Sequence, residues 1–293
     1  MNIVITGVTG FIGQQLESFL QEAHSIIGVT RREDNIKNHF KSSYSTEHLK
    51  ELFYGADVVI NLASQKALTN NTIGIQAYIP SVIILENILS ASKECGIKNV
   101  INISSRCVYS SHTDTEFKET DVVHPLNMYG VMKLWNESLS DYYNRTYSMH
   151  IKNLRLSQVI GYPMFDKYMF NTFLEKIQKD DEIQIQGQGS GQRDYIYIKD
   201  VCKAISLAIQ ADKVSGVYNI ASGIGTSNIK IAQKMKKVFE SKSNIYVLPE
   251  SPSDLTRIVL DTTKAKQDLH FSCDYTIEEA LYDIKNIIKK GVN

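Results

Sequence analysis

Hydrophobic positions along this chain fall into two kinds of segment that take turns. Short β-branched runs come first: Ile3, Val4 and Ile5 are contiguous, as expected of a strand buried on both faces. Residues 14–20 then place Leu16, Phe19 and Leu20 on one helical face. A second run, Ser25-Ile26-Ile27-Gly28-Val29, and another at residues 100–105 read as strands. Residues 77–95 and 128–147 read as helices between them. Strand and helix alternate in this way to about residue 161. The pattern predicts an α/β fold with a doubly wound parallel sheet, a Rossmann architecture. Beyond residue 161 the alternation loosens. Residues 171–179, 226–240 and 276–290 predict helices, and residues 187–191 a glycine-rich loop. The expected organisation is a dinucleotide-binding Rossmann domain from residues 1–161 and about 194–222. A smaller interwoven C-terminal domain, from about 162–193 and 223–293, would hold the substrate.

The turn after the first strand carries the first chemistry. Gly7, Gly10 and Gly13 are spaced by two residues each, between a strand and a helix. Gly7 can take positive φ for a tight turn. Gly10 lets backbone approach a phosphate, and Gly13 lets the helix pack close to the sheet. The helix N-terminus then offers free N–H groups and a partial positive charge to a pyrophosphate. The cofactor set in this segment is Gly7, Thr9, Gly10, Phe11, Ile12 and Gly13. The second strand ends in Thr30-Arg31-Arg32, where an NAD site has an acidic residue for the ribose 2′-hydroxyl. A guanidinium pairs better with a 2′-phosphate. NADP(H) is therefore favoured, with NAD(H) the alternative if Glu33 or Asp34 serves the ribose.

A second constellation lies near mid-chain. Ser104 and Ser105 end a strand, and ligands in open parallel sheets bind beyond the carboxyl ends of strands. Tyr129 and Lys133 are four apart, hence on one helix face. A free tyrosine has a pKa of ~10. A nearby ammonium, with an oxidised nicotinamide, favours the phenolate and lowers that value. Tyr129 could then move a proton at a sugar oxygen while hydride moves at carbon. Ser105 would hold that oxygen, and Lys133 would also bond the nicotinamide ribose.

Composition narrows the partners. Across 293 residues, 32 basic and 32 acidic side chains leave a formal net charge of zero, so no basic field for nucleic acid exists. The four cysteines are scattered without metal or disulfide spacing. Residues 79–89 are apolar but too short to span a membrane. With the first strand starting at once, no signal peptide is read, and a reducing cytoplasm is the expected location.

With both motifs in hand, the sequence resembles the extended short-chain dehydrogenase/reductases, in the NAD(P)-dependent nucleotide-sugar epimerase/dehydratase branch. The resemblance covers nearly the whole chain. It implies that Leu62, Ala63 and Ser64 lie along the cofactor, and that Lys66 stands where UDP-galactose 4-epimerases carry a cofactor-contacting lysine. Residues 155–163 look like the strand that turns toward the sugar nucleotide, with Gln158 at the family's usual asparagine. Residues 187–201 match closely, and Arg193 would grip a substrate phosphate. Arg257 is a second phosphate candidate. The resemblance also implies a homodimer built on the helices at residues 77–95 and 128–147, which carry Ile83, Ile84, Leu85, Leu134, Trp135 and Leu139.

Three departures from the family pattern are informative. No aspartate stands near Ser42-Ser43 for the adenine ring. The segment at residues 81–87 lacks the usual Asn-x-x-Gly-Thr. Arg106 and Cys107 occupy the places where 4,6-dehydratases carry an Asp-Glu pair for eliminating water, which argues against a dehydratase. Cys107 reads as a small packed residue rather than an acid or base. The leading expectation is NADPH-dependent reduction of a 4-keto nucleotide-diphospho-sugar at C4. The alternative is a UDP-glucose 4-epimerase-like enzyme using bound NAD, and a remote one is a non-catalytic NADP(H)-binding regulator.

Overall fold

The computed structural model describes residues 1–65, 74–111, 115–163, 168–252, 254 and 256–291. The first half runs β1 (Asn2–Thr6), α1 (Phe11–Leu20), β2 (Ser25–Thr30), β3 (His39–Lys41), α2 (Thr46–Phe53), β4 (Val58–Asn61), α3 (Ile79–Glu94), β5 (Asn99–Ser105), α4 (Met128–Tyr147) and β6 (His150–Leu156). The second half runs β7 (Gln158–Ile160), α5 (Met169–Gln178), β8 (Ile183–Gln186), β9 (Gln192–Tyr197), α6 (Ile198–Gln210), β10 (Gly216–Ile220), β11 (Gly225–Ser227), α7 (Asn228–Phe239), β12 (Ile245–Leu248), β13 (Arg257–Ile258), α8 (Thr263–Asp268) and α9 (Ile277–Lys289).

Seven strands form one parallel sheet in the order β10-β6-β5-β4-β1-β2-β3. The chain winds outward from β1 in one direction and from β4 in the other. The switch point between β1 and β4 is where such sheets open a crevice at their carboxyl ends. The doubly wound fold read from the sequence is the fold observed. The helix at residues 128–147 falls where the spacing put it. The one expected at 77–95 is slightly shorter, running from Ile79 to Glu94 after a 3₁₀ turn at Ile75–Ala77.

Strand periodicity explains the two layers. Ile3, Ile5, Ile60 and Ile101 pack with Leu16 and Leu20 of α1 and Val201 and Ile205 of α6. Val4, Val59, Val100 and Ile151 face the other way, against Phe53 of α2, Leu85 and Leu89 of α3 and Tyr143 of α4. Each such buried aliphatic side chain contributes about 1.5–3 kcal/mol. The first of these cores continues into the C-terminal elements through Ile196, Phe173, Ile231 and Leu281. There β9 lies between β11 and β13 and also pairs with β7, while β12 pairs with β8. Among the described residues no helix is long and apolar enough to cross a membrane.

Candidate functional site

The glycine turn is constrained at each of its first and last positions. Gly7 takes φ +72°, and a Cβ there would lie 2.8 Å from the Ala63 nitrogen. A Cβ on Gly13 would come within 2.4 Å of the Val8 carbonyl, so only glycine lets α1 sit this close to the turn. Gly10 is the N-cap of α1 and supplies no side-chain cap. The first-turn N–H groups therefore face the crevice without a side chain in their way. Thr9 and Gly10 are exposed, and Phe11 and Ile12 half-buried, along its floor. Leu62, Ala63 and Ser64 follow β4 on the opposite wall, each half-buried. These residues fit a dinucleotide pyrophosphate. Lys66 lies outside the described residues.

Below the crevice is a polar row that the sequence reading did not find. Thr6, Asn61, Asn102 and Asn153 are register partners on β1, β4, β5 and β6. The Thr6 hydroxyl donates to Asn61 Oδ1 at 2.9 Å, Asn61 Nδ2 to Asn102 Oδ1 at 2.9 Å, and Asn102 Nδ2 to Asn153 Oδ1 at 2.7 Å. Asn61 Oδ1 also accepts from the Ala63 N–H at 3.1 Å, which fixes the crevice wall. All four residues are buried, and each satisfies its neighbour, as buried polar groups must.

At the rim of β2, Thr30 is buried and its hydroxyl lies 3.4 Å from that of Thr9. Arg31 and Arg32 are exposed. Asp34 is already engaged, its carboxylate 2.6 Å from His39 Nδ1, while Glu17 of α1 meets the other ring nitrogen at 2.8 Å. Tyr44, 1 % exposed, donates to the Val29 carbonyl beneath this rim.

The residues expected to react lie at the carboxyl end of β5 and on the N-terminal turns of α4. Asn127 caps α4 by accepting from the Gly130 N–H at 2.9 Å. A Cβ on Gly130 would lie 2.2 Å from the Cys107 carbonyl, so glycine brings α4 against the turn at Arg106–Val108. Tyr129 and Ser105 thereby face one another. Burial pushes the Tyr129 phenol well above the ordinary tyrosine range, Cys107 adds to this, and the Ser105 hydroxyl works in the other direction. The expected help from the Lys133 charge therefore works against this burial. The ammonium lies 5.6 Å from the ring centroid and donates to the Ile103 carbonyl at 2.7 Å. Its own pKa is pulled down by burial to about 8, against the pull of Glu137. Burial thus disfavours the charged form of both groups. Cys107 is half-buried rather than fully packed.

Glu137, one turn beyond Lys133, was also missed. It takes a two-pronged ion pair from Arg155, at 3.0 Å from Nε and 2.7 Å from Nη2, and accepts from Ser104 at 2.5 Å. Arg155 Nη1 donates to the Tyr109 hydroxyl, which donates to Asn219 Oδ1. The signal was available: Tyr129, Lys133 and Glu137 recur every fourth residue on one face of α4.

The residues expected to face the substrate are each held by long-range contacts of their own. Gln158 Oε1 accepts from Arg106 Nη2 at 3.1 Å. Arg193 on β9 pairs with Asp254 at 2.7 Å. Burial raises Asp254, but the Thr256 hydroxyl and N–H and the Arg193 charge outweigh it and hold the carboxyl at about 2. Arg257 donates to the Thr115 carbonyl and pairs with Glu116 at 3.0 Å, so it anchors the segment before Phe117 as well as facing outward. Asp194, beside Arg193, is wholly buried, which pushes it up to about 6, against hydrogen bonds from Ser222, Gly223 and Leu260.

A family model described as the NAD dependent epimerase/dehydratase family matches residues 3–221. The UDP-N-acetylglucosamine 4-epimerase of Bacillus cereus superposes with a TM-score of 0.91 at 29% identity, covering 99% of each chain. The UDP-glucuronate 4-epimerase of Thermodesulfobacterium geofontis is 26% identical over 99% of this chain and 96% of its own length. The UDP-glucuronic acid 4-epimerase of Bacillus cereus, solved with UDP-glucuronic acid and NAD, shares the fold with a TM-score of 0.85 at 23% identity over 99% of each chain.

Proposed function

This chain belongs to the NAD dependent epimerase/dehydratase family, and on that premise we propose that it is a nucleotide-diphospho-sugar 4-epimerase. The observation that carries the reading is the meeting of Ser105 and Tyr129, with Lys133 behind them, at the mouth of the glycine cradle. The turn that follows Ser105 holds Arg106 and Cys107 and no carboxylate, so nothing there serves the elimination of water. Relatives and fold neighbours described as 4-epimerases support the same reading.

When bound, the nicotinamide supplies a hydride acceptor for C4 and gives the hydride back. Everything else falls to the protein. The Ser105 hydroxyl would hold the C4 oxygen. Tyr129 would take that oxygen's proton and return it to the same oxygen once the 4-keto sugar has presented its opposite face, so that C4 is closed with inverted configuration. The Lys133 ammonium would bond the nicotinamide ribose and add positive charge near the phenol, whose burial otherwise opposes ionisation. Arg193 would exchange its Asp254 partner for a substrate phosphate, the bidentate task a guanidinium suits. Arg257 is the second phosphate candidate, and Gln158 a sugar contact.

The cofactor is a nicotinamide dinucleotide. The exposed Arg31 and Arg32, with Asp34 engaged by His39, favour its 2′-phosphorylated form. That same pair supports the second reading, NADPH-dependent reduction of a 4-keto sugar. One experiment separates the two. An epimerase equilibrates a UDP-sugar with its C4 epimer and shows no net cofactor consumption. A 4-ketoreductase consumes one NADPH per product and leaves a UDP-hexose untouched.

A homodimer belongs to this proposal. Leu85 is buried within the subunit, whereas Ile79, Ile83, Trp135 and Tyr142 on α3 and α4 stay exposed, Ile83 at 53 %. A second copy would cover this apolar face. Light scattering at micromolar concentration that returned a monomer mass would refute it.

A further inference from the structure

Arg106 is the residue of this site that hydride chemistry does not use. It follows Ser105 directly, so its backbone is fixed beside the oxygen-holding hydroxyl. Among the described residues no carboxylate pairs with it; its one partner is the neutral Gln158 Oε1 at 3.1 Å. Gln158 stands opposite Tyr195 in the β7–β9 register. Tyr195 is 6 % exposed, and its hydroxyl has no hydrogen-bond partner. Burial pushes its phenol up, and the charges of Arg193 and, to a smaller extent, Arg106 reach it and work the other way. Among the described residues this half-buried cation has no counter-ion and this buried hydroxyl no partner, and both cost free energy until a ligand meets them.

Three donors therefore lie near one another beside Ser105: the Arg106 guanidinium, the Gln158 amide N–H₂ bonded through its oxygen to Arg106, and the Tyr195 hydroxyl on the paired strand. A group that accepts from all three and carries negative charge is a carboxylate. The diphosphate is the other anion of the substrate, but Arg193, two residues before Tyr195 on the same face of β9, is placed for it. In a hexuronate the carboxyl sits on C5, the carbon next to C4. That is the distance at which a residue adjacent to Ser105 can reach it.

We propose that the substrate is a nucleoside-diphospho-hexuronate, with Arg106 binding the sugar carboxylate and Gln158 and Tyr195 completing its cradle. This rests on the 4-epimerase reading and deepens it. Arg106 thus decides which sugar is accepted, and it stands where the acid–base pair of a water-eliminating relative is expected.

The test uses the full chain loaded with its cofactor, with UDP-glucuronate and UDP-glucose as probes. C4 epimerisation is followed by NMR, and equilibrium binding of each probe by calorimetry. UDP-glucuronate should exceed UDP-glucose by at least about 10-fold in kcat/KM and in affinity, the scale of a hydrogen bond to a charged group. Arg106→Met should lower that ratio by about 10- to 100-fold, and Arg106→Lys should restore part of it. Equal or better use of UDP-glucose by the wild type, or a ratio unmoved in Arg106→Met, would overturn the proposal. If Arg106→Met does not fold, the wild-type ratio decides. If neither probe is epimerised, the epimerase reading falls, and the binding ratio still decides whether a carboxylate is recognised.

Discussion

The two walls of the crevice are built on different principles. The cofactor wall is made of backbone: Gly7, Gly10 and Gly13 from a single turn, and Ala63 held by the in-register row from Thr6 to Asn153. Its contacts are set by strand register and by the absence of side chains. The substrate wall is made of side chains that meet across the fold. Arg106 and Gln158 are 52 positions apart, Arg193 and Asp254 61, Arg257 and Glu116 141. A backbone site accepts one class of ligand whatever its surroundings. A side-chain site can change its ligand by one substitution without disturbing the sheet. On the 4-epimerase reading proposed above, the backbone wall would hold the cofactor, while the choice of sugar would be left to the side-chain wall.

The sharpest way to break this division is to cut at the seam. Tyr129→Phe keeps the ring, which stacks edge-on against Tyr78 at 6.2 Å, and removes only the proton. Turnover should fall by about 10³-fold, within the range for losing a general acid–base group. Cofactor affinity, measured by fluorescence quenching, should stay near wild type. Near-normal turnover would move the proton to another group, with Cys107 the first to test.

Glu137→Gln strikes the support behind both walls. It leaves the buried Arg155 with no counter-charge and weakens the clamp on Ser104. Breaking one side of a buried ion pair costs about 3–5 kcal/mol, so the denaturant midpoint should fall well outside measurement error. Lys133 would also lose the carboxylate that holds its pKa up. A midpoint within error of wild type would mean that the pair contributes nothing to the fold.

The same division explains what the sequence could and could not tell. The fold was legible because β-branched runs and helical spacing are local signals, and Gly7-x-x-Gly10-x-x-Gly13 carries its own context. Ser105, Tyr129 and Lys133 were legible because their spacing on one strand end and one helix face is also local. The asparagine row was not, since Asn61, Asn102 and Asn153 share nothing until the strands align. Asp254 and Tyr195 were invisible for the same reason. The charge of Lys133 beside Tyr129 could be counted from sequence, whereas the burial that opposes ionisation of the phenol could not.

Arg193→Ala tests the substrate wall alone. KM for the nucleotide sugar should rise by about 10-fold or more, on the scale of a lost charge-assisted bond to phosphate. Asp254 would be left without its guanidinium, though Thr256 and Asn228 still hold it. Cofactor affinity should not move. If cofactor and substrate affinities fell together by the same factor, the two walls would not be separable.

The smallest effect expected belongs to the cofactor rim, and it is visible only against pH. His39 fits beneath the rim because Gly28 has no side chain; a Cβ there would lie 2.4 Å from the imidazole. Its two ring nitrogens face Asp34 on the loop after Arg31-Arg32 and Glu17 on α1, so the protonated ring ties that loop to the helix. Burial disfavours the charge, yet the hydrogen bonds to Asp34 and Glu17 outweigh it and raise the pKa above the ordinary 6.5. A base whose pKa is raised in the fold adds stability in full below its unfolded value. That contribution disappears as pH rises through the folded value. Wild-type Tm should therefore drift down relative to His39→Gln as pH climbs from about 6.5 upward. Lys133 works in the opposite sense, because its pKa is depressed to about 8 and its burial becomes less costly as it loses its proton above that pH. Both proteins share Lys133, so the difference between their curves cancels it and isolates the rim. Superimposable curves from pH 6 to 9 would show that His39 carries no charge in the fold, and that the arginine loop is held by packing alone.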